Sequence, residues 1–221
     1  MLRRSFVAVL LALPFGMVHA AAAVGQPAPD FSVRDANGQE VKLSQFRGKH
    51  VVLEWMNPGC PFVRKHYDSG NMAAVQKDAL AKGVVWLSVY SNDDESWGYT
   101  KPAKLKDWLR ERKASPTALL MDGSGAVGKA YGARTTPHMF LIGPTGTLVY
   151  AGAIDSIPSA DKDDIAKATN YVRQAVSEAV AGKAVSTPSN RPYGCMIKYK
   201  SQGTGVRLGP AAVGSPGGIT S

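Results

Sequence analysis

The apolar run Val51-Val52-Leu53-Glu54-Trp55 reads as a strand buried on both faces, and Pro61-Phe62-Val63-Arg64-Lys65-His66 soon after it reads as the opening of a helix. Proline suits the first helical position because the N–H it lacks would have had no partner there. Cys60 stands between the two elements, so its sulfur is expected where a strand hands over to a helix N-terminus. Unpaired N–H groups and the positive end of the helix dipole favour an anion at that point, and Arg64, Lys65 and His66 follow closely. The expectation is a thiol that ionises readily, and a thiolate is the nucleophile of disulfide exchange and of peroxide reduction. The competing reading makes Cys60 half of a static disulfide and leaves Arg64 and Lys65 on a solvated helix face. His66, six positions on, is read as a surface histidine rather than a proton shuttle.

The rest of the chain alternates strand and helix signals. Phe31 to Asp35 and Val41 to Leu43 flank Asn37-Gly38, a hairpin signal. The helix after Cys60 is expected to run to Lys82, with an irregular stretch between Tyr67 and Asn71, and to stop at Gly83. Val84 to Tyr90 is a second apolar strand, Pro102 opens a helix through Arg112, Thr117 to Met121 is a short strand, and Ala126 to Tyr131 is a helix ended by Gly132. His138 to Ile142 pairs with Thr147 to Tyr150 across a turn at Pro144-Thr145-Gly146, and Asp161 to Ala181 carries a helical apolar spacing. This order describes a central mixed sheet with helices on both faces, preceded by a hairpin. The tail from Ser186 is rich in Pro, Gly and Ser; residues 203–221 are expected to be disordered, whereas Arg191 to Lys200 has the aromatic and apolar residues to dock.

Met1-Leu2-Arg3-Arg4, the apolar stretch from Phe6 to Val18 and the small residues that follow form the three-part pattern of a secretory leader, with an apolar core too short for a comfortable membrane span. The expected division is therefore a leader at 1–23, one domain at 24–185 and a C-terminal extension at 186–221. An exported, bacterial periplasmic protein follows, with no stable membrane anchor once the leader is cleaved, in a compartment where a disulfide persists. Removing Arg3 and Arg4 lowers the formal charge from +9 to +7. The bases are scattered rather than gathered into a stripe, which argues against nucleic acid as a partner.

The second cysteine, Cys195, lies in Arg191-Pro192-Tyr193-Gly194-Cys195, 135 positions (195 minus 60) beyond the first. A thiol on a docking tail can attack a sulfenic acid or mixed disulfide at Cys60 and close an intramolecular bond. A permanent staple and a bond between two chains are the alternatives, because spacing alone does not prove approach. Cys60 with His66, His138, Met56 and Met139 also invites Cu(I), but no second cysteine stands at metal-ligand spacing, so neither a metal nor any other cofactor is expected. Asp93-Asp94-Glu95 lacks the ligand spacing of a calcium loop and reads as a solvated acidic loop.

Trp55 to Lys65 after the first core strand, and Thr136-Pro137 before the next, resemble the thioredoxin fold. More closely, Ala28-Pro29-Asp30-Phe31, Asn57-Pro58-Gly59-Cys60-Pro61-Phe62-Val63, Tyr131-Gly132-Ala133 and Tyr193-Gly194-Cys195-Met196-Ile197-Lys198-Tyr199 resemble the peroxiredoxin-like redoxins grouped with the alkyl hydroperoxide reductase and thiol-specific antioxidant proteins. The resemblance implies an α/β, thioredoxin-like three-layer sandwich over about residues 25 to 200. It implies a cis Pro137 after Thr136 facing the active thiol, with exposed backbone able to pair with a substrate peptide. Around Cys60 the expected pocket is Trp55 as a wall, with simple core packing the alternative for its indole, Asn57 as a donor to the thiolate or an incoming oxygen, Pro61, Thr136, Pro137 and His138.

The departures from those patterns matter as much. Val63 stands where thioredoxins carry the second cysteine of Cys-x-x-Cys. Asn57 and Leu53 occupy the places of the peroxidatic Thr and Pro, and the usual peroxide-polarising Arg is replaced by Pro137, with Arg134 only nearby. The expected activity is that of a thiol-dependent oxidoreductase: Cys60 attacks a peroxide or a disulfide, Cys195 resolves the product, and a thioredoxin-like donor restores both thiols. A disulfide reductase without peroxidase activity, and a non-catalytic redoxin binding a metal or partner, are the alternatives.

Overall fold

A computed structural model of the protein describes residues 21–201; the expected leader to residue 20 and the distal tail from residue 202 lie outside the described residues. The core is a five-stranded sheet of β3 (Val51–Trp55), β4 (Val85–Tyr90), β5 (Ala118–Met121), β7 (His138–Ile142) and β8 (Leu148–Gly152), in the order β5-β4-β3-β7-β8. β3 pairs in parallel with β4, and β4 with β5, whereas β7 runs antiparallel to both β3 and β8. The mixed sheet expected from the element order is the one that forms. β1 (Ser32–Arg34) and β2 (Glu40–Lys42) make the N-terminal hairpin around Asn37-Gly38.

Alternation along the strands divides the interior into two layers. Val52, Trp86, Tyr90, Met139 and Leu141 face one side, where α1 (Pro61–Asp68), α2 (Asn71–Ala81), α3 (Pro102–Glu111) and α5 (Tyr171–Val180) cover them. Val51, Leu53, Trp55, Leu87, Phe140 and Ile142 face the other, under α4 (Ala126–Tyr131), Phe31 and the hairpin's Val41. Glu54 and Ser88 point into the first layer, and this side of the sheet solves the burial of a carboxylate locally. Tyr67 Oη (2.7 Å), Trp86 Nε1 (2.7 Å), Ser88 Oγ (2.9 Å) and Gln76 Nε2 (3.3 Å) all donate to Glu54, whose pKa burial nevertheless raises.

One helix boundary agrees with the sequence pattern and one differs from it. The helix after Cys60 is interrupted in the expected region, as Gly70 takes a left-handed conformation (φ 77°) between α1 and α2. The long helix from Asp161 does not form: residues 162–164 make a single 3-10 turn, and α5 starts only at Tyr171. Asn170 is the reason, because its side chain accepts from Arg173 N at 2.9 Å and caps the helix there. Upstream, Ser156 N donates to Thr169 O at 3.1 Å and pulls the segment away from helical geometry.

Candidate functional site

The turn between β3 and α1 is built by Asn57. Its Oδ1 accepts from Gly59 N at 2.8 Å while its carbonyl accepts from Cys60 N at 3.0 Å, a side-chain-closed turn that delivers Cys60 as the N-cap of α1. Pro61 follows at the first helical position. Asn57 therefore shapes the backbone, and its Oδ1 is turned to Gly59 rather than facing the sulfur. Cys60 is almost fully buried, and its Sγ donates to the carbonyl oxygen of Thr136 at 3.0 Å. Thr136 precedes Pro137 through a cis peptide bond, so the loop expected to face the thiol does so.

Thr136 is also where the second cysteine arrives. Residues 135–136 form a two-residue strand, β6, antiparallel to β9 (Cys195–Met196), with Thr136 opposite Cys195 and Thr135 opposite Met196. One residue thus holds both sulfurs: its carbonyl takes the Cys60 thiol and its backbone aligns Cys195. The two thiols are free, Cys60 buried and Cys195 half-buried. Burial, then the neighbouring Cys60 sulfur and its charge, push the Cys195 thiol up to about 12.

The strap that carries Cys195 is anchored at three places. Ala151 N donates to Pro188 O at 3.1 Å, and Asn190 Oδ1 accepts from Ala153 N at 2.7 Å, which fixes the start of the strap along β8. Next, Tyr193 donates its hydroxyl to Asp155 and meets the Phe62 ring edge-on at 5.8 Å. Finally Ile197 N donates to Arg134 O (3.0 Å) and Tyr199 Oη to Ala133 O (2.8 Å). The Tyr199 ring lies so close on α4 that a Cβ at Gly125 or Gly128 would overlap it. Gly194 lies flat on the Thr136–Pro137 peptide with φ 131°, and a Cβ there would overlap the Thr136 carbonyl oxygen. No other residue type fits.

Behind the sulfurs lies a buried polar cluster. Lys65 Nζ pairs with Asp155 Oδ2 at 3.1 Å and donates to Ile157 O at 3.0 Å, with its side chain wholly enclosed. His66 is equally enclosed, with Nε2 3.3 Å from Tyr193 Oη and Nδ1 2.8 Å from Asn71 Nδ2. Burial lowers its pKa to about 4, and Lys65 adds to this against the opposing charge of Asp155. The solvated face expected of Lys65 and the surface position expected of His66 are both corrected here. Only Arg64 is exposed, paired with Asp68 at 3.3 Å.

Two further expectations are corrected by strand alternation. Trp55 and His138 are register partners on β3 and β7, and both point to the layer opposite Cys60. Trp55 packs on Phe140 at 5.2 Å and donates Nε1 to Ser91 Oγ at 2.9 Å, so the indole is core rather than pocket wall. His138 stacks on Phe140 at 4.4 Å and accepts from Arg134 N, with burial, then the charge of Arg134, lowering its pKa to about 4. The site that the structure assembles is Cys60, Cys195, Thr136 and Pro137, shaped by Asn57 and Pro61. Asp155 had no sequence signal of its own, and Lys65 stood out only as a charge following Cys60 closely. Gly194 had one, within the Tyr193-Gly194-Cys195 motif.

Comparison with known proteins bears on the family and the fold. The model of the AhpC/TSA family matches residues 24–151. Peroxiredoxin Bcp of Bacillus subtilis is 30% identical over 112 residues, an alignment that spans 49% of this chain and 62% of that protein, less than two thirds of its length. Thiol-disulfide oxidoreductase ResA of Geobacillus thermodenitrificans is 29% identical over 133 residues, covering 57% of this chain and 67% of the relative. Among solved structures, a hypothetical protein of Sinorhizobium meliloti 1021 superposes with a TM-score of 0.69 at 26% identity, over 82% of this chain and 97% of that one. An uncharacterized conserved protein of Geobacillus kaustophilus gives 0.67 at 26% identity, over 80% and 93%.

Proposed function

Because the chain belongs to the AhpC/TSA family, we propose that it is an exported thiol-dependent oxidoreductase in which Cys60 is the nucleophile and Cys195 the resolving thiol. The observation that carries this reading is the position of both sulfurs at Thr136, one hydrogen-bonded to its carbonyl and the other aligned by its backbone. With a hydroperoxide, the Cys60 thiolate takes the distal oxygen, the O–O bond breaks, and the alcohol leaves with a proton. Cys195 then attacks the resulting sulfenic sulfur, forming the S–S bond and releasing water. With a disulfide, Cys60 displaces one thiolate and Cys195 displaces the other. Either route leaves Cys60 and Cys195 joined, and a thioredoxin-like dithiol donor returns two electrons and two protons. Thr136 and Pro137 line the reacting sulfurs, and Asn57 and Pro61 set the position of Cys60. The leader at 1–23 would deliver the domain at 24–185 and its extension at 186–221 to the periplasm.

Brief exposure of the reduced protein to hydrogen peroxide, followed by mass spectrometry, tests the assignment. Cys60 should gain one oxygen and then link to Cys195. Cys60→Ser should abolish turnover, whereas Cys195→Ser should allow a single oxidation and block recycling. Full multiple turnover by Cys195→Ser would remove the resolving role, and two thiols untouched by peroxide would leave only disulfide exchange. Comparing peroxide consumption with reduction of a disulfide decides between the two substrates.

A further inference from the structure

An exposed strand edge is a template for another chain, and extended peptides bind by adding a strand to such an edge. In this protein the edge beside the reactive thiol is β6, and the chain's own tail already occupies it. Cys195 and Met196 pair antiparallel with Thr136 and Thr135. Gly194 presses on the Thr136–Pro137 peptide without room for a side chain. The strap then continues past the edge, with Ile197 N on Arg134 O and Tyr199 seated on α4.

Resting on the preceding assignment of Cys60 as nucleophile, we propose that residues 190–199 are a specificity element that stands in for a polypeptide substrate, so that the reduced protein reacts with small disulfides and hydroperoxides and excludes protein disulfides. The distinction follows from how much must open. A small oxidant reaches Cys60 when the half-buried Cys195 side chain and its own peptide move aside. A protein disulfide brings flanking backbone, which needs the whole β6 edge. Freeing that edge means separating β9 from β6, lifting Gly194 from Thr136, breaking the Tyr193–Asp155 hydrogen bond and unseating Tyr199. Local openings are populated far more often than concerted ones of this extent. In both cases the chemistry is the same exchange: Cys60 bonds to one substrate sulfur or oxygen while the S–S or O–O bond breaks and the other half leaves with a proton, and Cys195 then displaces the attached sulfur as a thiol, or the oxygen as water, to close the intramolecular disulfide.

The test compares hydroxyethyl disulfide, hydrogen peroxide and insulin as oxidants of the full chain, with dithiothreitol as recycling reductant and its uncatalysed rate subtracted. The native chain should turn over hydroxyethyl disulfide at least tenfold faster than insulin at equal disulfide concentration. Gly194→Ala, which places a methyl group against the Thr136 carbonyl, should lower that ratio at least fivefold by raising the insulin rate. Tyr199→Ala, distant from both sulfurs, should do the same by loosening the far anchor, and it serves if the first variant folds poorly. Equal rates on both disulfides in the native chain, or a ratio unmoved in both variants, overturn the proposal. A native chain inert to all three oxidants overturns the assignment of Cys60, and this proposal with it, and is recognisable as a separate result.

Discussion

At the scale of single residues, the two thiols are made unequal by their surroundings. Cys195 is partly desolvated and has the Cys60 sulfur and its charge as neighbours, and each of these effects holds its proton on. Oxidation of Cys60 removes the charge but leaves the burial, so Cys195 still has to ionise before it attacks. Burial keeps the Cys195 thiol above its ordinary value, and below its pKa a thiol gains about tenfold in thiolate for each unit that the pH rises, which fixes the sign of the pH dependence. The closing step, sulfenic acid to disulfide, should therefore accelerate by up to about tenfold per unit from pH 7 to pH 9. Quenched-flow sampling with thiol-specific labelling and mass spectrometry measures it. A rate flat over that range would mean that Cys195 is already ionised once Cys60 is oxidised, or that closure waits on strap motion instead.

At the scale of elements, α1, the loop after β8 and the strap meet at Asp155, and the cost of breaking that junction is set by desolvation. Asp155→Ala leaves the enclosed Lys65 ammonium with only the Ile157 carbonyl, and removing one partner of a buried pair costs about 3 to 5 kcal/mol. Urea denaturation of reduced Asp155→Ala should show a loss of that order, whereas Lys65→Met combined with Asp155→Leu should recover much of it, since no orphaned charge remains. A loss below about 1 kcal/mol for the single variant would mean that water reaches Lys65. None of this junction was legible in the sequence, and the reason is physical. Pro61 at a helix start, Asn37-Gly38 at a hairpin and the break before α2 are local signals, readable from neighbouring residues. Lys65 and Asp155 lie 90 positions apart and become partners only when the loop after β8 reaches α1. The same limit explains Trp55 and His138: proximity to Cys60 and Pro137 in sequence suggested the pocket, but the twofold alternation of a strand sends them to the opposite layer.

For the whole molecule, the fold and the two sulfurs were legible because spaced motifs fixed the sheet and because Arg191 to Lys200 carried enough aromatic surface to dock. The strap's occupation of β6 was not, since nothing in Gly194 itself names the carbonyl it lies against. The consequence is a linkage between redox state and stability. The span from Cys60 to Cys195 takes in four of the five strands of the central sheet, all but β3, so a bond between them restrains the unfolded chain over 135 positions (195 minus 60). Such a cross-link typically stabilises a protein by about 2 to 4 kcal/mol. The oxidised protein should gain that much over the reduced form in urea denaturation monitored with and without dithiothreitol, while Cys195→Ser should match the reduced form under both conditions. An unmoved midpoint, or a covalent dimer on a non-reducing gel, would mean that the sulfurs do not join within one chain. By the thermodynamic cycle, whatever folding gains from the bond the bond gains from folding, so the same 2 to 4 kcal/mol lowers the potential of the folded pair by roughly 40 to 90 mV relative to the unfolded pair. A donor that recycles the protein must supply that driving force, which is why the strap that brings Cys195 to Thr136 also sets how strong a reductant the reaction requires.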